Sequence, residues 1–511
     1  MNPAEPDLTP DQLAQIQQSK LFNNDLAPVP QNKRSWNMWS IAALWVGMAI
    51  CITTYTLASG LISQGMNWSQ AVLTIFLGNL IVLIPMTLNA HPGTKFGIPF
   101  PVLLRSSFGT MGANIPALMR ALVACGWFGI QTWIGGASIY AMSSIIFRFD
   151  PAQKTNLPIL GISSGELLCF LIFWTINIFI IVKGMNSIKW LEILSAPFLL
   201  ATGLGMLIWA YYAADGWGPI FNQPSKLKTS AEFWPVFAAG LTAMVGYWAT
   251  LSLSIPDFSR FAKSQRDQIM GQALGLPLTM TFYSFIGVAV TSATIVVFGI
   301  PIWDPVQLMA KFNNPVLSFL ALITLAIATL STNIAANVVS PANDFSNLAP
   351  RRISFKNGGI ITGVIGILMF PWKLYADPKG YIFTWLIGYS ALLGPIAGIM
   401  IADYFVYRKQ RLNVLELYKT DGEYSFARGF SIVGLSTLAL SILPNLPGFL
   451  AAIGKLPKEN VAPLFLSFYS YAWFVGFIIA FVIYLAARKV FPETKQTVET
   501  NISQTTLTKN L

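Results

Sequence analysis

The stretch Thr324–Asp344, TLAIATLSTNIAANVVSPAND, decides the fold. It lies within an apolar run, yet it carries Thr329, Ser331, Thr332, Asn333, Asn337 and Ser340. A polar side chain without a partner in hydrocarbon costs several kcal/mol, roughly 2–7 by transfer measurements. A membrane helix therefore accepts such a row only where the groups face protein, a cavity or an ion. At about 3.6 residues per turn, Ala328, Ser331, Thr332 and Ala335 share one face. Small residues and hydroxyls there suit either close helix packing or a sodium ion held by hydroxyls and backbone carbonyls. Asn333, Asn337 and Ser340 make a second face, with Asn337 turned by about 140° from Thr332. To serve both an ion and a ligand, this helix has to be wedged between two sites or locally distorted.

Working outward, the chain has 511 residues, of which 54% are hydrophobic and only 10% charged. A soluble domain carries about 25% charged residues, and apolar runs of 18 or more recur here, with a mean hydropathy of +0.58. This composition specifies an all-α, polytopic membrane protein. The net charge of +11 does not point to nucleic acid, because the basic residues sit in short loops between apolar spans, the topogenic pattern. Cys51, Cys125 and Cys169 all fall in apolar stretches and read as core thiols rather than a disulfide or metal set. With His91 as the single histidine, multi-histidine metal chemistry is excluded.

Apolar windows give about twelve spans of about 20 residues. They run over 38–62, 69–90, 112–146, 160–182, 189–213, 232–256, 273–299, 315–343, 357–375, 381–405, 428–450 and 462–487. Residues 1–37 and 488–511 are polar, and the first lacks the basic start and short apolar core of a secretory signal. Both read as cytosolic tails, the second disordered from Pro492 onward. Clusters such as Arg260, Lys263 and Arg266, Arg351, Arg352 and Lys356, and Arg408, Lys409 and Arg411 fall on the side of the N-terminus. The opposite side carries scattered residues such as Lys226, Lys228, Lys373 and Lys455, so both termini are expected in the cytosol, with the cell (inner) membrane as the host. Gly47 and Gly246 sit at matching places in spans 1 and 6. Such mid-span glycines mark discontinuous helices at a transport site, or else merely permit packing. They suggest an inverted repeat of spans 1–5 (38–213) and 6–10 (232–405), with spans 11 and 12 (428–487) added at the periphery.

Few side chains at depth can carry chemistry. Trp127 and Gln131, four apart in span 3, project from one face. Trp248 lies near mid-depth in span 6, too deep, like Trp127, for an interfacial belt. Two indoles and an amide suit a flat heteroaromatic ligand, with rings on its faces and the amide on its edge. Asn337 either adds a second edge contact or makes an interhelical hydrogen bond. Arg120 shares the Trp127 face two turns earlier, and with Glu166 and Glu192 it reads as snorkelling. Asp257 and Asp403 close spans 6 and 10 beside basic loops, where a cap or gate pair fits.

The segments NNDLAPVPQNKRSW (Asn23–Trp36), HPGTKFGIPFPVLLRSSFG (His91–Gly109), WFGIQTWIGG (Trp127–Gly136) and SIPDFSRFAKSQRDQIMGQ (Ser254–Gln272) resemble the nucleobase–cation symporter family 1. STNIAANVVSPAN (Ser331–Asn343) and FTWLIGYSALLGPIAGIMIADYF (Phe383–Phe405) extend the likeness over nearly the whole chain. It is nearest the plant plastidic branch and further from the bacterial hydantoin and allantoin permeases. The resemblance implies a LeuT-like five-plus-five inverted repeat working by alternating access. It also implies a sodium site formed by the carbonyls of Gly47, Ile50 and Ala328 and the hydroxyls of Ser331 and Thr332. The substrate positions it implies are Trp127, Gln131, Trp248 with neighbouring Gly246 and Tyr247, and Asn337. Two departures stand out from the hydantoin permease: Cys51 replaces a glutamine and Tyr247 a glycine. Where the plant transporter has an acidic residue, this chain has Gln131.

The expected activity is import of a flat nucleobase, uracil first and purine bases second, coupled to Na+ or H+. The protein is expected to work as a monomer in the bilayer. An allantoin or hydantoin permease of the same family is the nearest alternative. A passive channel would show no ion-coupled accumulation, and an intramembrane enzyme lacks any deep cluster of acids or nucleophiles.

Overall fold

The structure is a computed structural model describing residues 8–493 apart from 152, 184 and 313. The C-terminal tail from 494 onward and the Glu192 side chain lie outside the described residues. All spans are helical, as the apolar runs require. Among the described residues nine helices are long and apolar enough to cross a membrane, and the bent pair Met38–Ala49 and Ile52–Ser63, span 1, makes a tenth. Two shorter apolar helices, Leu200–Ala213 and Phe355–Leu368, stand at spans 5 and 9. Spans 2, 3, 4 and 7 are Trp68–Phe96, Asn114–Phe147, Ser164–Lys183 and Gln265–Phe298. Span 6 is Ser230–Tyr247 continued by Ala249–Ser254, and span 8 is Pro315–Asn337 continued by Val339–Leu348. Spans 10, 11 and 12 are Gly380–Tyr407, Ile432–Ala452 and Ala472–Val490.

Local chemistry sets the starts. Asn67 caps span 2 in a reciprocal pair with Gln70, and Asn314 caps span 8 with Pro315 at its first position. The interruptions matter more. Span 1 bends by 58° where Ile50 and Cys51 leave the helix, Cys51 being fully extended. Span 6 breaks at Trp248 and span 8 at Val338. The bends in spans 1 and 6 fall within three residues of Gly47 and Gly246.

Packing sorts the helices into two groups. Spans 1, 2, 6 and 7 pack on one another, span 7 lying against spans 1 and 2 and span 2 against span 6. Spans 3, 4, 8 and 9 form the other group, with span 3 against spans 4, 8 and 9. Span 8 also touches span 1, so it stands between the groups. The sequence left span 8 either wedged or locally distorted; it stands between the two groups and also breaks at Val338. Spans 10, 11 and 12 pack together beside span 6.

The N-terminal segment is not a free tail. Helix Pro10–Gln18 and the loop after it fold back over the ends of the spans. Arg105 Nη2 donates to the Leu21 carbonyl at 3.2 Å, Tyr418 OH to that of Leu26 at 2.6 Å, and Arg260 Nη1 to that of Asp25 at 2.9 Å. Trp36 pairs with the backbone around Ala262 through Trp36 N to Phe261 O and Lys263 N to Trp36 O. A polar, proline-rich composition reads as a tail because its hydrogen-bond partners lie far away in sequence.

The reading of Arg120 as snorkelling is overturned. Its side chain is 0% exposed, and its Nη1 lies 3.2 Å from Asp344 Oδ2, itself 0% exposed. Arg120 Nε and Nη2 donate to Thr250 O and Ser254 Oγ, so one guanidinium ties span 3 to spans 6 and 8. A buried charge persists only when paired and hydrogen-bonded in this way. Glu166, by contrast, pairs with Lys154 at 2.5 Å near the end of span 4. Asp403 bonds Arg408 at 2.9 Å and accepts from Tyr484 OH at 2.7 Å, anchoring span 12 to span 10.

Candidate binding site

The breaks of spans 1 and 6 meet at Tyr247. Its hydroxyl lies 3.2 Å from Cys51 Sγ, 2.7 Å from Thr53 Oγ1 and 3.1 Å from Thr54 Oγ1. Its ring stands edge-on to Trp127 at 5.2 Å and to Trp248 at 4.9 Å between centroids. The two indoles are thus not face to face across an open slot; they share Tyr247 as a common neighbour. Trp127 also meets Trp385, Tyr381 and Tyr389 of span 10 edge-on at 6.1–6.4 Å. Trp248 stands edge-on to Trp45 at 5.1 Å and donates through Nε1 to Asn79 Oδ1 at 3.1 Å. Both tryptophans are nearly buried, at 4% and 3% exposure. Gly246 lets span 6 approach span 10: a Cβ there would collide with the Ser390 hydroxyl, and its carbonyl accepts from Tyr389 OH at 2.9 Å.

Two amides stand apart from this aromatic cluster. Gln131, one turn beyond Trp127, is buried, and no hydrogen bond among the described residues occupies its side chain. Asn337, at the last helical position before the span 8 break, donates to Asn333 Oδ1 at 3.1 Å. Asn333 in turn donates to Phe128 O, Thr132 Oγ1 and Asn177 Oδ1. The Asn337 bond thus stays within span 8, and the interhelical bonds, to spans 3 and 4, are made by Asn333.

The residues considered for an ion lie on spans 1 and 8. At the bend, Cys51 N turns to the carbonyl of Ala49, at 3.0 Å, rather than to that of Gly47. The carbonyls of Gly47 and Ile50 accordingly receive no backbone N–H among the described residues. A Cβ at Gly47 would meet nothing within 4 Å, so close packing does not explain this glycine. On span 8, Thr332 Oγ1 donates to Ala328 O at 3.1 Å, while the buried Ser331 hydroxyl has no hydrogen bond among the described residues. Freed carbonyls and hydroxyl oxygens are the donor set a hard cation needs, so these residues fit sodium chemically. No group of three or more His, Cys, Asp or Glu among the described residues suits a transition metal.

Several participants escaped sequence reading. Thr53, Thr54, Asn79 and the span 10 aromatics Tyr381, Trp385 and Tyr389 carried no spacing signal. Asn79 gave a hint, being a buried amide near the middle of the apolar span 2.

Residues 28–476 match the family model described as permease for cytosine/purines, uracil, thiamine, allantoin. The chain is 45% identical to the purine-uracil permease NCS1 of Arabidopsis thaliana, over 91% of this chain and 77% of that one. It is 42% identical to the allantoin permease of Bacillus subtilis (strain 168), over 95% and 97% of the two chains. Among solved structures, a nucleobase-cation-symport-1 family transporter in a closed conformation with bromovinylhydantoin bound superposes with a TM-score of 0.75. That pair is 28% identical and covers 93% of this chain and 98% of the other.

Proposed function

This chain belongs to the nucleobase–cation symporter family 1, the permeases for cytosine/purines, uracil, thiamine and allantoin, and we propose that it imports uracil, with purine bases second, together with Na+ or H+. Integral membrane transport on a LeuT-like fold is common to the group; the substrate and the ion are the parts proposed. The observation that carries the reading is the meeting of the span 1 and span 6 breaks at Trp127, Tyr247 and Trp248, with Gln131 one turn from Trp127 on span 3 and Asn337 on span 8, which packs against span 3. Broken helices at membrane depth are tolerated only where the freed backbone is buried in protein or lines a cavity, and paired breaks of this kind mark transport sites.

In this reading the base enters among the aromatic rings and displaces the Tyr247 ring from between Trp127 and Trp248. Gln131 supplies a donor and an acceptor to its edge. Cys51 keeps a weak thiol where a stronger hydrogen-bonding group would select a different ligand. A sodium ion held by the Gly47, Ile50 and Ala328 carbonyls and the Ser331 and Thr332 hydroxyls would join span 1 to span 8 and favour the outward-open state. Substrate and ion then tighten one another's binding by the same factor. Spans 1, 2, 6 and 7 rock against spans 3, 4, 8 and 9, with the tail side cytosolic. Repeats 38–213 and 232–405 supply that division, and a monomer suffices for it.

Allantoin or a hydantoin is the second reading, favoured by the 42% identity to an allantoin permease. Binding of uracil, purine bases, allantoin and hydantoin to purified protein, followed by tryptophan quenching with and without sodium, separates the two. Saturable quenching by uracil that tightens with sodium is the expected result. Quenching by allantoin or hydantoin alone would reassign the substrate, and no sodium effect would leave the proton as the coupling ion.

A further inference from the structure

The asparagine chain behind the site has a defined sense. Phe128 O and Phe173 O are backbone carbonyls and only accept. Thr132 Oγ1 donates its one proton to Phe128 O at 2.7 Å, so toward Asn333 it is an acceptor. Asn177 donates through Nδ2 to Phe173 O at 2.9 Å, which turns its Oδ1 toward Asn333. The Asn333 amide group therefore faces three acceptors: Phe128 O at 3.2 Å, Thr132 Oγ1 at 3.1 Å and Asn177 Oδ1 at 3.2 Å. Reversing Asn333 would set its Oδ1 against all three. Its oxygen is thus forced toward Asn337, which answers with Nδ2 at 3.1 Å. What remains of Asn337 is the second N–H of Nδ2 and a carbonyl oxygen, to which no described residue donates. Both residues are nearly buried, at 0% and 6% exposure, so water does not readily scramble the arrangement.

We propose that Asn333, held by Thr132 and Asn177, is a positioning residue that fixes which way round Asn337 presents its amide, so that the transported ring must offer an N–H to its carbonyl oxygen. The proposal rests on the reading of the site as a heterocycle pocket and adds a rule about the ligand: a lactam or imide N–H facing span 8. A ring with a bare acceptor or an N-methyl at that edge meets an oxygen it cannot bond. Rejection is strong in such a case because a buried acceptor is left unpaired. The signal runs from backbone carbonyls of spans 3 and 4, through two side chains, to the substrate edge.

The test is competition by uracil, 1-methyluracil, 3-methyluracil, hydantoin, 1-methylhydantoin and 3-methylhydantoin on purified full-length protein. It is run on wild type, Asn337→Leu, Asn333→Leu, Thr132→Val and Asn177→Leu, each checked for a cooperative melt. In the wild type one N-methyl isomer of whichever ring binds should compete at least about tenfold more weakly than its parent. That ratio should fall towards one in Asn337→Leu and in Asn333→Leu, which offers the Asn337 amide no acceptor and so no longer dictates its sense. It should fall partway in Thr132→Val and Asn177→Leu. A merely structural role would lower all affinities together and leave the ratio intact. An unchanged ratio in every folded variant of Asn333, Thr132 and Asn177 overturns the relay while leaving the pocket in place. Equal competition by both methyl isomers and the parent in the wild type overturns the N–H rule itself. Failure of every ring to bind the wild type removes the pocket reading and the relay with it.

Discussion

Tyr247 organises the site at the scale of single residues. Its hydroxyl is shared by Cys51, Thr53 and Thr54, and its ring touches both deep tryptophans. Edge-on aromatic pairs of this kind contribute about 0.5–1.5 kcal/mol beyond area burial, which a ligand has to replace when the ring moves. Trp127→Ala and Trp248→Ala should each weaken binding of the transported ring by about 1–3 kcal/mol if stacking is what the indoles supply. Isothermal titration checks this, and wild-type affinity in both variants would reduce the pair to packing. Trp127, Gln131 and Trp248 were legible because large or polar side chains at mid-depth are rare in membrane helices. Asn79 and the hydroxyls of Thr53 and Thr54 were not, since small or lone polar residues at depth usually bond their own helix. The position of Tyr247 between the indoles was also hidden, because it depends on where two helices break and not on any spacing.

At the scale of the element, the breaks carry the argument. Spans 1 and 6 interrupt close to the glycines that pointed to them, while the span 8 break at Val338 had no such signal. The span 1 bend frees the Gly47 and Ile50 carbonyls, and span 8 sets hydroxyls one turn or less from Ala328. Replacing Ser331 and Thr332 together by alanine should abolish any sodium dependence of uptake and leave sodium-free binding largely intact. Sodium dependence that survives both changes would move the ion elsewhere. Far from the tail side, helix Pro305–Met309 packs on spans 3 and 8 and on the second half of span 1. Asp304 caps it, accepting from Val306 N at 2.9 Å, and burial pushes its carboxyl up to about 6. A carboxyl raised in the folded state adds stability while protonated, and that contribution is lost as pH rises through about 6. Asp304→Asn keeps the capping oxygen without the charge. Its melting temperature should exceed that of the wild type at pH 7.5, with the gap narrowing below about pH 6 and closing near 3.8. Parallel melting curves across that range would show that Asp304 does not titrate in the folded protein.

At the scale of the whole molecule, the tail-side face is held shut by contacts that cross every group of helices. Arg105, buried at 0% exposure, donates to Leu21 O of the N-terminal segment, Leu417 O of the loop after span 10, and Asn347 Oδ1 at the end of span 8. Its guanidinium also lies over the Tyr418 ring at 5.2 Å. None of this was legible: the sequence shows one arginine in a short loop, and its partners lie 84, 312 and 242 residues away. If spans 1, 2, 6 and 7 rock against spans 3, 4, 8 and 9, span 8 and the N-terminal segment have to part from each other for this face to open. Arg105 bonds both, and Asn23 Nδ2 to Pro350 O and Arg351 Nη2 to Gln18 O add ties just beyond span 8. Arg105→Gln keeps a hydrogen-bonding head but has too few donors for three acceptors. It should therefore favour the form open on this side. Cys51, at the span 1 bend and 2% exposed, reports that opening. With Cys125 and Cys169 replaced by serine, maleimide added from the tail side should label Cys51 severalfold faster in Arg105→Gln than in its parent, and bound substrate should slow both. Equal labelling rates would place the closure in the helices themselves and leave the N-terminal segment as a passive cover.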